Sequence, residues 1–369
     1  MRHHLLLLFL LAGCSGPLSD GSDGSDEPRI SQGALAASAS QLVVLGGARL
    51  PDGPPVDVYI LDRQILAVRA VGTRPSGAHV IDVRGQWIAP AFIDSHVHLV
   101  YRPDARGMLE GGVAAVVDQA APIPFFTHSW GALDVIGAGP MVTAVDGYPT
   151  QSWGSDGYGW EVADPGQAID AVDALYGLGA GLIKMPVTQG PHLAAGTMGV
   201  VVDRAHQHGL LVSTHALSDA EALAAGVAGA DVLAHTPVGV LSDDTIIMWS
   251  SRAVISSLKA FGGNQSAIDN LQKLVEAGAT VLYGTDFGNT TTAGIDVKEL
   301  ELMMEAGMTG AEILAAGTSA PANLWGFEDL GEIAPGESAS LLILDEDPTL
   351  QPLTLAEPAM VFQRGTRLR

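Results

Sequence analysis

Short segments rich in β-branched and aliphatic residues occupy both ends of the chain and predict strands. Turn-forming sequences separate them, as at 52–55, Asp-Gly-Pro-Pro. The strand-like segments are residues 41–50, 56–61, 65–71, 79–83, 340–344 and 360–363. The two ends, residues 40–86 and 328–369, can therefore close into one small β domain around the middle of the chain.

The middle of the chain, residues 87–327, has a different pattern. Short apolar runs alternate with Ala- and Leu-rich segments of helical spacing. The helix-like segments and the apolar runs that follow them are 167–178 before 181–184, 200–208 before 210–215, 219–228 before 231–235, and 268–277 before 280–286. Repeated strand–helix units indicate parallel strands with right-handed crossovers. The α/β pattern suits a (β/α)8 TIM barrel of about 240 residues, and a doubly wound sheet is the alternative. The absence of an early Gly-x-Gly-x-x-Gly turn disfavours a dinucleotide-binding sheet.

The first 39 residues predict export rather than a folded domain. A basic start and the apolar run 5–11 are typical of a signal peptide, residues 1–13, because seven helical residues span only about 10 Å. Cys14, the single cysteine, stands where the bacterial lipoprotein box requires it, and an ordinary signal peptide is the alternative. The Gly-, Ser- and Asp-rich residues 14–39 indicate a flexible tether. We expect a lipoprotein anchored by lipid to the membrane on the cell-envelope, or periplasmic, side.

Composition narrows the range of partners. The chain carries 18 Lys and Arg against 41 Asp and Glu, a net charge of −23, and 47% of its residues are hydrophobic. The apolar content excludes a largely disordered chain. The negative charge disfavours nucleic acid, whose phosphates require clustered cations. A small-molecule or dipeptide substrate is the expected partner.

Metal-binding side chains stand at the ends of successive predicted strands. His96 and His98, two residues apart, point to the same face of a strand, and His215, His235 and Asp286 end later strands. The carboxyl ends of parallel barrel strands converge on one active site. Imidazole and carboxylate groups suit a zinc-like divalent ion, so the sequence predicts a metal centre.

Lys184 is unusual among these residues, because a protonated ammonium group would be repelled by divalent cations. Burial lowers the pKa of a lysine, and the neutral amine can react with carbon dioxide to give an anionic carbamate with two ligand oxygens. A Schiff-base lysine and a lysine paired with a carboxylate are the alternatives.

This order of motifs resembles the amidohydrolase superfamily, and within it the imidazolonepropionase-like and prolidase-like branch. The similarity extends over almost all of residues 41–369 and implies a TIM barrel inserted in a small β-sandwich formed by both chain ends. The stretches that carry it are GQWIAPAFIDSHVH at 85–98, GLIK at 181–184, STHA at 213–216, LAH at 233–235, GTD at 284–286, and 331–345.

The resemblance implies two divalent metal ions, with zinc the first expectation. His96, His98 and Asp286 would hold the first ion, and His215 and His235 the second. Lys184, as N6-carboxylysine, would bridge the ions together with a hydroxide. Asp286 would also be the catalytic residue, as general base and then general acid.

The function expected from this site is hydrolysis of a C–N bond in an amide or cyclic amide by a metal-activated hydroxide. An Xaa-Pro-type or other metallo-dipeptidase is the alternative, and Arg252 is one of the few candidates to bind a substrate carboxylate. A phosphotriester or lactone hydrolase and a non-catalytic exported binding protein are further alternatives. Candidate substrate contacts are Tyr148 and Trp153, on a Gly-punctuated aromatic loop, and His128.

Overall fold

The structure is a computed structural model that describes residues 42–51 and 53–369. The predicted signal peptide (1–13), the lipidation site Cys14 and the predicted tether (14–39) lie outside the described residues, so these remain predictions. Among the helices of the described ranges, none combines the length and the apolar character needed to cross a membrane.

Two four-stranded sheets contain the strands from the chain ends. The first has the order β3-β2-β1-β4 and the second the order β18-β17-β16-β5, so the second joins the carboxyl-terminal strands to a strand near residue 90. One hydrophobic cluster contains buried side chains of both sheets, including Leu45, Ile60, Ile343 and Phe362. The strands are β1 (Leu42–Ala48), β2 (Val56–Leu61), β3 (Gln64–Ala70), β4 (His79–Asp82), β5 (Trp87–Pro90), β16 (Leu341–Leu344), β17 (Met360–Gln363) and β18 (Thr366–Arg367).

The strands between these two groups pair in parallel. They form a three-stranded sheet β6-β7-β8, a pair β9-β10 and a five-stranded sheet β11-β12-β13-β14-β15. These strands are β6 (Phe92–Val97), β7 (Val113–Asp118), β8 (Asp134–Gly137), β9 (Met141–Ala144), β10 (Gly159–Val162), β11 (Leu182–Pro186), β12 (Leu211–His215), β13 (Val232–Leu233), β14 (Ala253–Ile255) and β15 (Thr280–Leu282).

Helices follow most of these parallel strands. They are α1 (Ala105–Glu110), α2 (Pro165–Leu178), α3 (Ala195–Gln207), α4 (Asp219–Ala228), α5 (Asp243–Trp249), α6 (Gln265–Ala277), α7 (Val297–Glu305), α8 (Gly310–Gly317) and α9 (Ser319–Trp325). Short 3-10 helices occur at Ile123–Thr127, Lys259–Phe261 and Pro352–Ala356. The middle of the chain is thus a mixed α/β fold with parallel strands, as its alternating pattern predicts.

Local sequence explains where these elements begin and end. Helix α4 begins at a capping box, in which Ser218 and Glu221 exchange hydrogen bonds with each other's backbone N–H groups. It ends at Gly229, whose φ of 97° lies in the left-handed region that glycine adopts without a steric penalty. Every residue of β6 is buried, which is expected for a parallel strand covered on both faces.

The chain that follows β15 lies beside β6. The Ser95 N–H donates to the carbonyl oxygen of Tyr283 at 2.9 Å, and the His98 N–H donates to that of Phe287 at 2.6 Å. These bonds bring the segment that contains Asp286 next to the two histidines of β6. The carboxyl ends of β6, β12, β13 and β15 thereby supply one site.

Candidate metal centre

His96 and His98 point their Nε2 atoms at each other across a distance of 3.3 Å. Their other ring nitrogens face backbone carbonyls. Nδ1 of His96 is 2.7 Å from the oxygen of Ala234, and Nδ1 of His98 is 3.2 Å from that of Ala120. A carbonyl oxygen can only accept, so each Nδ1 carries a proton, and in the neutral ring each Nε2 offers its lone pair to the site.

Asp286 completes a compact group with these two rings. Its Oδ1 atom lies 3.5 Å from Nε2 of His96 and 3.3 Å from Nε2 of His98. Burial raises the pKa of the carboxyl, but positive charge on the rings of His96 and His98, together with a hydrogen bond from His98, outweighs burial and lowers the pKa to about 2. The backbone of Asp286 has a φ of 52°, an unusual conformation for a residue other than glycine.

Lys184 is fully buried on β11 and lines the same cavity. Its Nζ atom donates to Oε1 of Gln119 at 3.3 Å. Burial lowers its pKa to about 7, although Asp286 and Asp118 act in the opposite direction. A lysine of this kind is neutral in a large fraction of molecules near pH 7.

His215 and His235 form the other side of the cavity. Their ring centroids lie 5.1 Å apart, and the ring of His235 stacks on that of His96 at 4.4 Å. Burial lowers the pKa of His215 to about 3 and holds the pKa of His235 well below its usual value, so both rings are neutral near pH 7. Nδ1 of His235 is buried without a hydrogen-bond partner.

These side chains have the chemistry of a metal site. His96, His98 and Asp286 each offer a ligand atom within 4.8 Å of the others, and all three residues are buried. Two imidazoles and a carboxylate at such distances are a donor set that suits a divalent cation, and the unpartnered Nδ1 of His235 leaves a further polar atom unsatisfied. The residues therefore fit a divalent ion.

Aromatic side chains of the 145–160 loop cover the site. The Tyr148 ring stacks on His215 at 4.6 Å, and the Trp153 ring lies edge-on to His98 at 5.2 Å. The Trp153 indole N–H donates to the Tyr148 hydroxyl at 2.7 Å. Both residues line the cavity, and their role as substrate contacts stays a prediction.

The structure does not bring two other predicted residues to the site. His128 follows the 3-10 helix Ile123–Thr127, in which Phe125 is the buried side chain, and the His128 ring is exposed and lies 4.2 Å from that of Trp130. Arg252 precedes β14 and so lies at the opposite end of the strands from the metal ligands. Its guanidinium donates to backbone carbonyls there, so neither prediction is supported.

The structure adds residues that sequence reasoning missed. Gln119 follows β7 and accepts from Lys184, and Asn289 donates to Oδ1 of Asp286 at 3.0 Å. Asp94 is buried on β6 and accepts from the N–H groups of His96 and Thr285 at 3.0 and 3.1 Å, and from the Thr285 hydroxyl. Asp94 thus joins the two segments that carry the first three ligands. The one feature of the sequence that could have identified Asp94 is its position two residues before His96.

Curated relatives of this chain are C–N hydrolases. The adenine deaminase of Deinococcus deserti is 25% identical over 309 residues, which are 78% of this chain and 53% of the relative. The chain therefore spans about half the length of that enzyme. The imidazolonepropionase of the same organism is 25% identical over 356 residues, 80% of this chain and 87% of the relative.

Solved structures share the fold. A crystal structure of a Xaa-Pro dipeptidase with methionine in its active site matches 89% of this chain and 99% of its own, with a TM-score of 0.75 and 19% identity. The family model described as "Amidohydrolase family" matches residues 179–367, just over half of the 369 residues. The chain belongs to the amidohydrolase family.

Proposed function

We propose that this protein is a metal-dependent hydrolase that cleaves a C–N bond in an amide or a cyclic amide. One observation carries the proposal: the Nε2 atoms of His96 and His98 lie 3.3 Å apart and face Oδ1 of Asp286, while both Nδ1 atoms are committed to backbone carbonyls. Fixing the second ring nitrogen in this way is how proteins orient histidines that bind metal.

The proposed centre holds two divalent ions, with zinc the first choice for this ligand set. His96, His98 and Asp286 would hold the first ion, and His215 and His235 the second, with Lys184 between them. When bound, the ions would lower the pKa of a water molecule and polarise the substrate carbonyl.

Lys184 would serve as a ligand in its carboxylated form. The neutral amine attacks carbon dioxide, the N–C bond forms, and one proton leaves to solvent, which yields an anionic carbamate. The support is the complete burial of Lys184 and the lowering of its pKa to about 7, which supplies the neutral amine near pH 7. A Schiff-base lysine would need the same neutral amine, and the imidazoles and carboxylate that line the same cavity favour the carbamate.

Asp286 would move the proton during hydrolysis. Its Oδ1 atom is occupied by His96, His98 and Asn289, so Oδ2 is the oxygen that accepts a proton and passes it to the leaving nitrogen. Tyr148 and Trp153 would form the wall that limits access of bulk water to the bond being cleaved.

The fold proposed to carry this site is a (β/α)8 barrel over residues 87–327, inserted in a β-sandwich made of residues 40–86 and 328–369. The bonds from Ser95 to Tyr283 and from His98 to Phe287 support closure of the barrel. The hydrophobic cluster shared by the two terminal sheets supports the sandwich.

The relatives support a substrate in which a C–N bond belongs to a ring or an amidine-like group. Adenine and imidazolonepropionate are therefore the first compounds to assay, followed by cyclic amides, linear amides and dipeptides. Because this chain spans only about half of the adenine deaminase, adenine is one compound to assay and not the proposed substrate.

The test combines metal analysis with the variant Asp286→Asn. We expect about two zinc ions per chain in the native protein, and a fall in kcat/KM of about 10³-fold in the variant, because a ligand and a proton carrier are lost together. Asp269→Asn, an exposed residue of α6, is the matched control and should retain full activity. Full activity in a metal-free preparation would overturn the proposal.

A further inference from the structure

A second cavity adjoins the candidate metal centre and shares a wall with it. The metal-centre cavity has a volume of about 250 Å³, and the second has about 520 Å³. His215 lines both. The second cavity, the His215 groove, is otherwise formed by the loops after β11, β12 and β13, with Gln189, Leu217 and Val238 among its lining residues.

The lining of these two cavities is poor in cations. Among the described residues that line them, Lys184 is the one Lys or Arg, and it is buried among the proposed ligands. Lys259 lies next to two lining residues in the sequence, but its ammonium group is bonded to Asp296 and to the Thr292 hydroxyl. A substrate carboxylate in the groove would therefore find no Lys or Arg side chain in the described lining to serve as its counter-ion.

The groove does contain backbone donors of the kind that bind anions, but a carboxylate of the protein already occupies them. At the start of α4, Oε2 of Glu221 accepts from the N–H groups of Leu217 and Ser218 at 2.9 and 2.8 Å. These residues line the groove. Glu221 thus satisfies the donors and adds a negative charge where a second carboxylate would have to bind.

We propose that the His215 groove is a second substrate subsite that accepts an uncharged group, and that the enzyme discriminates against substrates with a carboxylate beside the scissile C–N bond. This specificity rests on the proposed function, because His215, a proposed ligand of the centre, also lines the groove. The proposed preference would distinguish this protein from the Xaa-Pro dipeptidase that shares its fold, because a dipeptide carries a carboxylate on the residue after the scissile bond.

A matched pair of compounds tests the proposal. N-acetylphenylalanyl-pyrrolidide and N-acetylphenylalanyl-proline share the same tertiary amide and differ by one carboxylate. Binding of each to the metal-free protein is measured by isothermal titration calorimetry, and kcat/KM is measured with the zinc-loaded protein. We expect the pyrrolidide to bind at least about tenfold more tightly than the proline compound, because the Glu221 carboxylate occupies the backbone donors and repels a second carboxylate.

Two variants assign the preference to the groove. Glu221→Gln should tighten binding of the proline compound several-fold and change that of the pyrrolidide by less than about twofold, because only the charge at the donors is removed. Glu276→Gln removes the same charge from the exposed face of α6 and should change neither. Gly190→Phe, at a groove position with open space for a side chain, should weaken binding of both compounds, whereas Gly199→Phe on α3 should not.

The outcomes separate this inference from the proposed function. Preferential binding of the pyrrolidide without cleavage of either compound supports the subsite and contradicts an amidase activity on such substrates. Equal or tighter binding of the proline compound, or no binding of either, overturns the inference and leaves the metal centre untouched. A melting temperature for each variant confirms that it is folded.

Discussion

The two halves of the candidate metal centre are supported in different ways. In the half formed by His96, His98 and Asp286, each imidazole is fixed by a hydrogen bond from Nδ1 to a backbone carbonyl, and Asn289 donates to the carboxylate. In the half formed by Lys184, His215 and His235, the Nδ1 atom of His235 has no partner and Lys184 has a single bond of 3.3 Å to Gln119. In this second half the support comes from packing, since the ring of His215 stacks on that of Tyr148.

This difference shows which side chains are already positioned to bind a metal ion in the folded chain. His96, His98 and Asp286 offer ligand atoms that lie within 4.8 Å of one another, close enough to share one ion. The second half keeps its rings neutral through burial but leaves their orientation less constrained. We therefore expect the first ion to bind more tightly, and the second to depend on Lys184.

Among variants that separate the two halves, Lys184→Ala has the largest expected effect. If Lys184 is the proposed bridging carbamate, its loss should remove one of the two proposed ions and reduce kcat/KM by more than about 100-fold, while the His96–His98–Asp286 half keeps its ion. Metal content per chain and steady-state kinetics measure both effects. Lys273→Ala, an exposed residue of α6, is the control. Loss of both ions from Lys184→Ala would show that the two halves are not independent.

The fold was predictable where elements are long or carry end signals. Helix α4 occupies residues 219–228 as expected, because Ser218 and Glu221 form its capping box and Gly229 ends it. No element was expected between His235 and residue 268, yet this stretch contains α5, with seven residues, and β14, with three. Elements this short contain too few positions for a hydrophobic period to be recognised.

The site was predictable where His and Asp side chains recur at the ends of predicted strands. It was less predictable where the backbone conformation determines the direction of a side chain. All six predicted ligands line one cavity. Gln119 and Asn289 carry no such signal, since amide side chains are common in loops, and the positive φ of Asp286 cannot be inferred from residue type. His128 failed because its direction depends on which neighbour is buried, and Phe125 takes the interior position.

A smaller effect, confined to the first half, is expected when Asp94 is replaced. Asp94→Ala leaves the N–H groups of His96 and Thr285 without an acceptor, which should weaken binding of the first ion about 10- to 100-fold. Asp94→Asn keeps an oxygen for both donors and should restore most of the affinity. Competition for zinc with a chromogenic chelator measures the change. Equal losses in the two variants would mean that the charge of Asp94, and not its hydrogen bonds, supports the site.

The smallest effect concerns the packing that supports the second half. Tyr148→Leu removes the ring stacked on His215, and we expect affinity for the second ion to fall about 2- to 10-fold, because an aromatic pair contributes about 0.5–1.5 kcal/mol beyond its buried area. Tyr148→Phe keeps the ring and loses only the hydroxyl that accepts from Trp153, so it should bind the second ion like the native protein. The same zinc competition, applied to the weaker site, distinguishes the two variants. A loss in Tyr148→Phe as large as that in Tyr148→Leu would assign the support to the hydrogen bond with Trp153, and the contrast between a hydrogen-bonded half and a packed half would no longer hold.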